Sequence, residues 1–175
     1  KTHAEHFMNR HTGHNIRGPG KNELVIKISN NFNFDNVENS ILRGGHVPAL
    51  IETGNRVFLY FQWFPAGEGS EKWYDHIGVS VSENSGSSWS DRKGVNITGI
   101  SESVLGGYAR PMDPSAGHLP GGRIRLYFTL EKRQPHDGVI GDAKIYSAIS
   151  SDGINFVFES SIRFETDQVD LRDPA

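Results

Sequence analysis

The sequence predicts an all-β chain assembled from repeated four-stranded sheets. Three observations lead there. Short runs of β-branched and aromatic residues recur between clusters of Gly, Asn, Asp, Ser and Pro. No stretch sustains a 3.6-residue apolar period with caps, so almost no helix is expected. Two stretches of the chain also align with each other, which marks an internal repeat.

Residues 1–22 are a polar arm holding His3, His6, His11 and His14. Their His-x-x-His spacings invite a metal reading. A zinc site needs three or four converging ligands. No carboxylate or cysteine is spaced to complete one, so we expect an exposed, irregular arm with no metal and no cofactor. Strand signals then follow in order: ELVIKIS (23–29), RVFLYFQWF (56–64), HIGVSVS (76–82), RIRLYFTL (123–130), KIYSAIS (144–150) and NFVFESSI (155–162).

The repeat is visible in both halves of each unit. Arg56, Leu59, Tyr60 and Phe61 fall opposite Arg123, Leu126, Tyr127 and Phe128, a spacing of 67 residues. Pro48 falls opposite Pro114 after a one-residue slip. Downstream, Ser82 and Asn84 match Ser150 and Asp152, and Ser29 and Asn31 give an earlier copy. Asp173-Pro174-Ala175 repeats Asp113-Pro114-Ser115. Each Ser-x-Asx step reads as a tight turn between two outer strands. Its polar side chains bond nearby backbone groups, a glycine supplies positive φ, and the following aromatic packs into the sheet. The stretch SENSGSSW is therefore read as a structural device rather than as chemistry.

Four strands per repeat is the pattern of a β-propeller, with one antiparallel blade per unit and about two and a half to three blades in this chain. Residues 23–45 read as the last two strands of one blade. Residues 46–98 read as a full blade, with strands at 46–52, 56–64, 76–82 and 88–98. Residues 108–165 read as the next, with strands at 112–118, 123–131, 144–150 and 155–164, and residues 170–175 open another.

Composition narrows the function. The net charge of −3 gives no basic face for nucleic acid or anionic lipid. No apolar run reaches the length of a membrane span. The absence of cysteine excludes disulfides and thiolate metal sites, and suits either redox environment. The chain starts at Lys1 without a visible signal peptide, which leaves open a processed secreted or periplasmic protein and a piece of a longer one. Asn96-Ile97-Thr98 matches the N-glycosylation pattern, a triplet that also arises often by chance.

The ordered motifs carry a resemblance. SENSGSSW resembles the Asp-box of sialidase-type propellers, with Asn84 where Asp is usual. The run MDPSAGHLPGGRIRLYFT, then IYSAISSDGINFVFE, then RDPA resembles the five-bladed glycoside hydrolase propellers of the arabinanase, levansucrase and invertase type. In that group an Asp-Pro-Ser/Ala step opens the inner strand, and a Ser-x-Asp-Gly turn follows two strands later. The resemblance covers roughly residues 20–175. It implies function at the mouth of a central funnel, three acidic residues from different blades, and a carbohydrate ligand. A full ring is longer than this chain, so a fragment or a homodimer that completes a ring is expected.

The inner-strand starts are thus the candidate site. Asp113 and Asp173 match the Asp-Pro positions and are the candidate catalytic carboxylates, since two carboxylates facing one cavity can do acid/base work on a glycosidic bond. Each could equally cap its turn. Arg110 and Arg172 stand beside them, to bind sugar hydroxyls or pair with the Asp. His46 is expected at the funnel, and Tyr108 and Trp63 could stack on a sugar or pack between blades. The blade that opens with His46-Val47-Pro48 departs from the pattern, and no Glu stands at an obvious inner-strand position; Glu52 and Glu131 are poor substitutes. A non-catalytic glycan-binding or scaffold propeller, or an inactive fragment, is the competing reading.

Overall fold

The computed structural model describes residues 45–65, 76–100, 111–133 and 140–165. They are all-β: two sheets, and no helix among the described residues. The first sheet runs in the order β1 (Gly45–Thr53), β2 (Arg56–Trp63), β3 (His76–Ser82) and β4 (Lys93–Gly94). The second holds β6 (Met112–Leu119), β7 (Arg123–Arg133), β8 (Ile140–Ser150) and β9 (Asn155–Glu165), with β5 (Asn96–Thr98) added outside β9. Neighbours are antiparallel except β5 and β9, which are parallel. The polar arm at 1–22, the strand signals of 23–44 and the start of a further strand at 170–175 lie outside the described residues.

The two sheets stack face to face. Alternation along β2 sends Phe58 and Tyr60 to one face and Leu59 and Phe61 to the other. The first pair joins Ile51, Ile77, Val79 and Val81 against Leu126, Phe128, Ala148 and Phe156 of the second sheet. Leu59 and Phe61 form a second cluster with Trp63 and Trp89 on the far face. The first sheet is thus buried on both sides. That is why RVFLYFQW reads as a near-continuous apolar run rather than a clean alternation. Each fully buried aromatic contributes about 1.5–3 kcal/mol of transfer free energy.

The junction closes through a turn. Tyr60 donates its hydroxyl hydrogen to the carbonyl of Gly153 at 2.9 Å, and Phe58 lies against the same glycine. Gly153 holds φ at +78°, and a Cβ there would collide with the Phe58 ring. Only glycine fits this approach.

The outer part of the first sheet differs from the expected strand at 88–98. After the turn, Ser90 takes over part of the ladder: its N–H donates to Val81 O at 2.8 Å, and its hydroxyl accepts from Val81 N–H at 3.0 Å. Regular pairing resumes for two residues in β4, and then the chain changes sheets. Val95 N–H bonds Ile77 O at 2.9 Å, while the next amide, Asn96, bonds Ile154 O at 3.1 Å. Buried Val95 sits at that crossover, so β5 ties one sheet to the other.

Candidate functional site

The first strands of the two sheets carry the same irregularity. The β1–β2 register shifts between His46 and Ala49, and the β6–β7 register shifts between Met112 and Ser115. At each shift sits a residue with left-handed backbone: Val47 at φ +46° and Asp113 at φ +53°. For a non-glycine residue this costs about 1–3 kcal/mol. The proline that follows each, Pro48 or Pro114, has no N–H to lose, and both bulges lie on edge strands where proline is tolerated. β1 and β6 pack against one another, which brings the two bulged strands together.

Asp113 is buried at the start of β6. His46 is half-buried at the start of β1, opposite Gln62, and its ring meets Phe64 edge-on at 5.2 Å. Trp63 ends β2 at the same end of the sheet. It packs edge-on to Phe61, with centroids 6.3 Å apart, as part of the far-face cluster. Its indole N–H is buried without a hydrogen-bond partner among the described residues, as is that of Trp89. Tyr108, Arg110, Arg172 and Asp173 lie outside the described residues. Glu52 is exposed at the opposite end of β1, beside the Thr53–Arg56 hairpin, and so stands away from Asp113.

Two residues at this end of the first sheet were not singled out from sequence. Gln62 pairs across from His46, and His76 opens β3 across from Trp63, with its Nδ1 accepting the Ile77 N–H at 2.9 Å. The repeat alignment could have placed both, since it already put the end of β2 beside the start of β1. Among the described residues no group of three metal-ligating side chains converges. No helix there is long and apolar enough to cross a membrane.

The two described Ser-x-Asx turns, at Ser82 and Ser150, lie elsewhere and are built as the sequence suggested, while the copy at Ser29 and Asn31 lies outside the described residues. In the second, Ser150 donates to Asp152 Oδ1 at 2.9 Å and accepts from Gly153 N–H at 2.9 Å. Asp152 Oδ1 accepts the N–H groups of Ile154 and Asn155 at 2.8 and 2.7 Å, and Oδ2 accepts the Asn155 side chain at 2.8 Å. Partial burial opposes the Asp152 charge. The hydrogen bonds from Asn155, Ile154 and Ser150 overcome it and hold the carboxyl well below the usual range. In the first turn Asn84 Oδ1 accepts the Ser88 N–H at 2.8 Å, so an amide does the same bonding without charge. Burial raises the Tyr60 phenol far above its ordinary value, and the neighbouring Asp152 charge adds to this against Arg56.

A further polar cluster covers the outer face of the second sheet. Arg125 forks onto Glu159 with bonds of 2.9 and 3.0 Å. Ser147 donates to the same carboxylate at 2.6 Å, and Arg163 reaches Glu159 at 2.9 Å. Partial burial of Glu159 is outweighed by Ser147, Arg125 and Arg163, which lower its pKa.

The chain matches no protein-family model and no curated protein by sequence.

Proposed function

We propose that the chain is part of a carbohydrate-directed β-propeller of glycoside hydrolase type, with Asp113 and Asp173 at the mouth where the inner strands meet. The observation that carries this reading is Asp113 itself. A buried aspartate stands on a left-handed bulge at the start of an inner strand, and such backbone strain persists where a side chain must be aimed. The order of Asp-Pro steps and Ser-x-Asx turns supports the same reading. Asp113 would act as base or nucleophile on a poly- or oligosaccharide. A second carboxyl about 5–5.5 Å away would give retention, and one about 6.5–9.5 Å away inversion. His46 and Trp63, with Tyr108, Arg110 and Arg172, would hold the sugar. No cofactor, nucleic acid or membrane enters this account.

One observation favours a second reading, a non-catalytic glycan-binding or scaffold propeller. Val47 adopts the same left-handed backbone as Asp113 with an apolar side chain. The bulge therefore belongs to the strand as built, and one of the expected acidic positions is empty of charge. Reducing-sugar release from arabinan, levan and sucrose separates the two. The first reading predicts turnover by the wild type and none by Asp113→Asn. Binding of the same sugars without turnover would replace it with the second.

A further inference from the structure

Asp152–Gly153 is one of two Asp-Gly steps in the chain; the other, Asp137–Gly138, lies outside the described residues. This dipeptide carries chemistry of its own. The glycine amide nitrogen can attack Cγ of the aspartate before it, because no side chain shields that nitrogen and its backbone turns freely. The N–Cγ bond forms and the carboxyl C–OH bond breaks. The hydroxyl and the amide proton leave as water. Hydrolysis of the resulting succinimide at either carbonyl takes the water back and gives aspartate or isoaspartate. Nothing but water takes part.

The folded turn withholds both reacting groups. Gly153 N–H donates to Ser150 Oγ at 2.9 Å. Asp152 Oδ1 is committed to the Ile154 and Asn155 amides at 2.8 and 2.7 Å, and Oδ2 to the Asn155 side chain at 2.8 Å. Those bonds favour the carboxylate, whereas loss of water starts from the neutral acid. Gly153 is itself buried, at φ +78°, with the Phe58 ring against it. Its carbonyl accepts the Tyr60 hydroxyl at 2.9 Å. Bringing Cγ onto the Gly153 nitrogen must disturb these bonds together. They span the two sheets, so the turn opens only where the junction between the sheets gives way.

We infer that Asp152–Gly153 is a self-modification site held shut by the junction of the two sheets, isomerising when Ser150 and Tyr60 release Gly153. Isoaspartate adds a methylene to the backbone between Ser150 and Gly153. The Ser150 bond to the Gly153 amide and the Tyr60 bond to its carbonyl then no longer fit one geometry, so the change keeps the junction open. The first turn lacks the step, since Asn84 is followed by Ser85, whose side chain hinders the same attack. The inference does not depend on a sugar site.

Peptide mapping of the full chain tests it, after incubation near neutral pH with and without denaturing urea. The isoaspartyl peptide has the mass of its parent and a different retention. Isoaspartate at Asp152 should form at least about tenfold more slowly without urea than with it. Tyr60→Phe and Ser150→Ala should each quicken the reaction without urea at least about threefold, and leave the rate in urea unchanged. The isomerised wild type should melt below its parent. Equal rates with and without urea, a rate that either variant leaves at the wild-type value, or an isomer that melts with its parent would each overturn the inference.

Discussion

Tyr60 and Gly153 lie 93 residues apart in the chain, yet the phenol of one donates to the carbonyl of the other at 2.9 Å. The bond is buried between two sheets and joins a strand of the first to a turn of the second. Removing the hydroxyl in Tyr60→Phe leaves the Gly153 carbonyl without this donor. We expect a loss of about 1–3 kcal/mol in urea unfolding, with the slope of the transition unchanged.

Gly153 and Gly86 give a paired comparison. Both have positive φ, at +78° and +90°, so alanine strains the backbone at either site by about 1–2 kcal/mol. A Cβ at Gly86 meets nothing within 4 Å, whereas at Gly153 it meets the Phe58 ring. Overpacking adds about 1–3 kcal/mol. Gly153→Ala should therefore shift the denaturation midpoint clearly more than Gly86→Ala does. Equal shifts would mean that the Phe58 contact carries no weight.

Acid should loosen the second sheet. Asp152 and Glu159 are both held below their ordinary pKa in the folded chain. A depressed carboxyl contributes stability above its unfolded pKa, about 3.9 for Asp and 4.3 for Glu, and loses it as pH falls toward the folded value. The melting temperature should thus be level near neutrality and fall below about pH 5. Asp152→Asn should flatten part of that decline. Asn84, which keeps the equivalent turn with an amide, indicates that the substitution can fold.

The crossover at Val95 makes a prediction about coupling. Its amide bonds the first sheet, and the amide of Asn96 bonds the second. Val95→Ala should cost about 1–2 kcal/mol by loss of buried methyl groups. Hydrogen exchange should then quicken in β4 and β5 together. Acceleration confined to one of them would contradict a single tie.

Much of the fold was legible because two signals agreed. Alternation and turn residues located β2, β3, β7, β8 and β9, and the repeat placed β1 and β6 and paired Tyr60 with Tyr127. The outer strand of the first sheet was not legible. Ser90 replaces ladder bonds with its side chain, and the switch at Val95 depends on the second sheet being adjacent, which local sequence does not encode. Within the candidate site, the Asp-Pro step located Asp113. Its left-handed backbone could not be read, because Val47 shares the conformation and none of the chemistry. Trp63 shows the opposite difficulty. A tryptophan at a strand end suits sugar stacking and core packing alike, and its contact with Phe61 appears only in three dimensions.

The most direct test of the functional account is calorimetric titration of the wild type and Asp113→Asn with arabinan, levan and sucrose. Saturable binding of at least one of them by the wild type is expected, with a clear change in affinity or heat on substitution of Asp113. Absence of binding to all three, or binding indifferent to Asp113, would contradict a carbohydrate site at the start of β6.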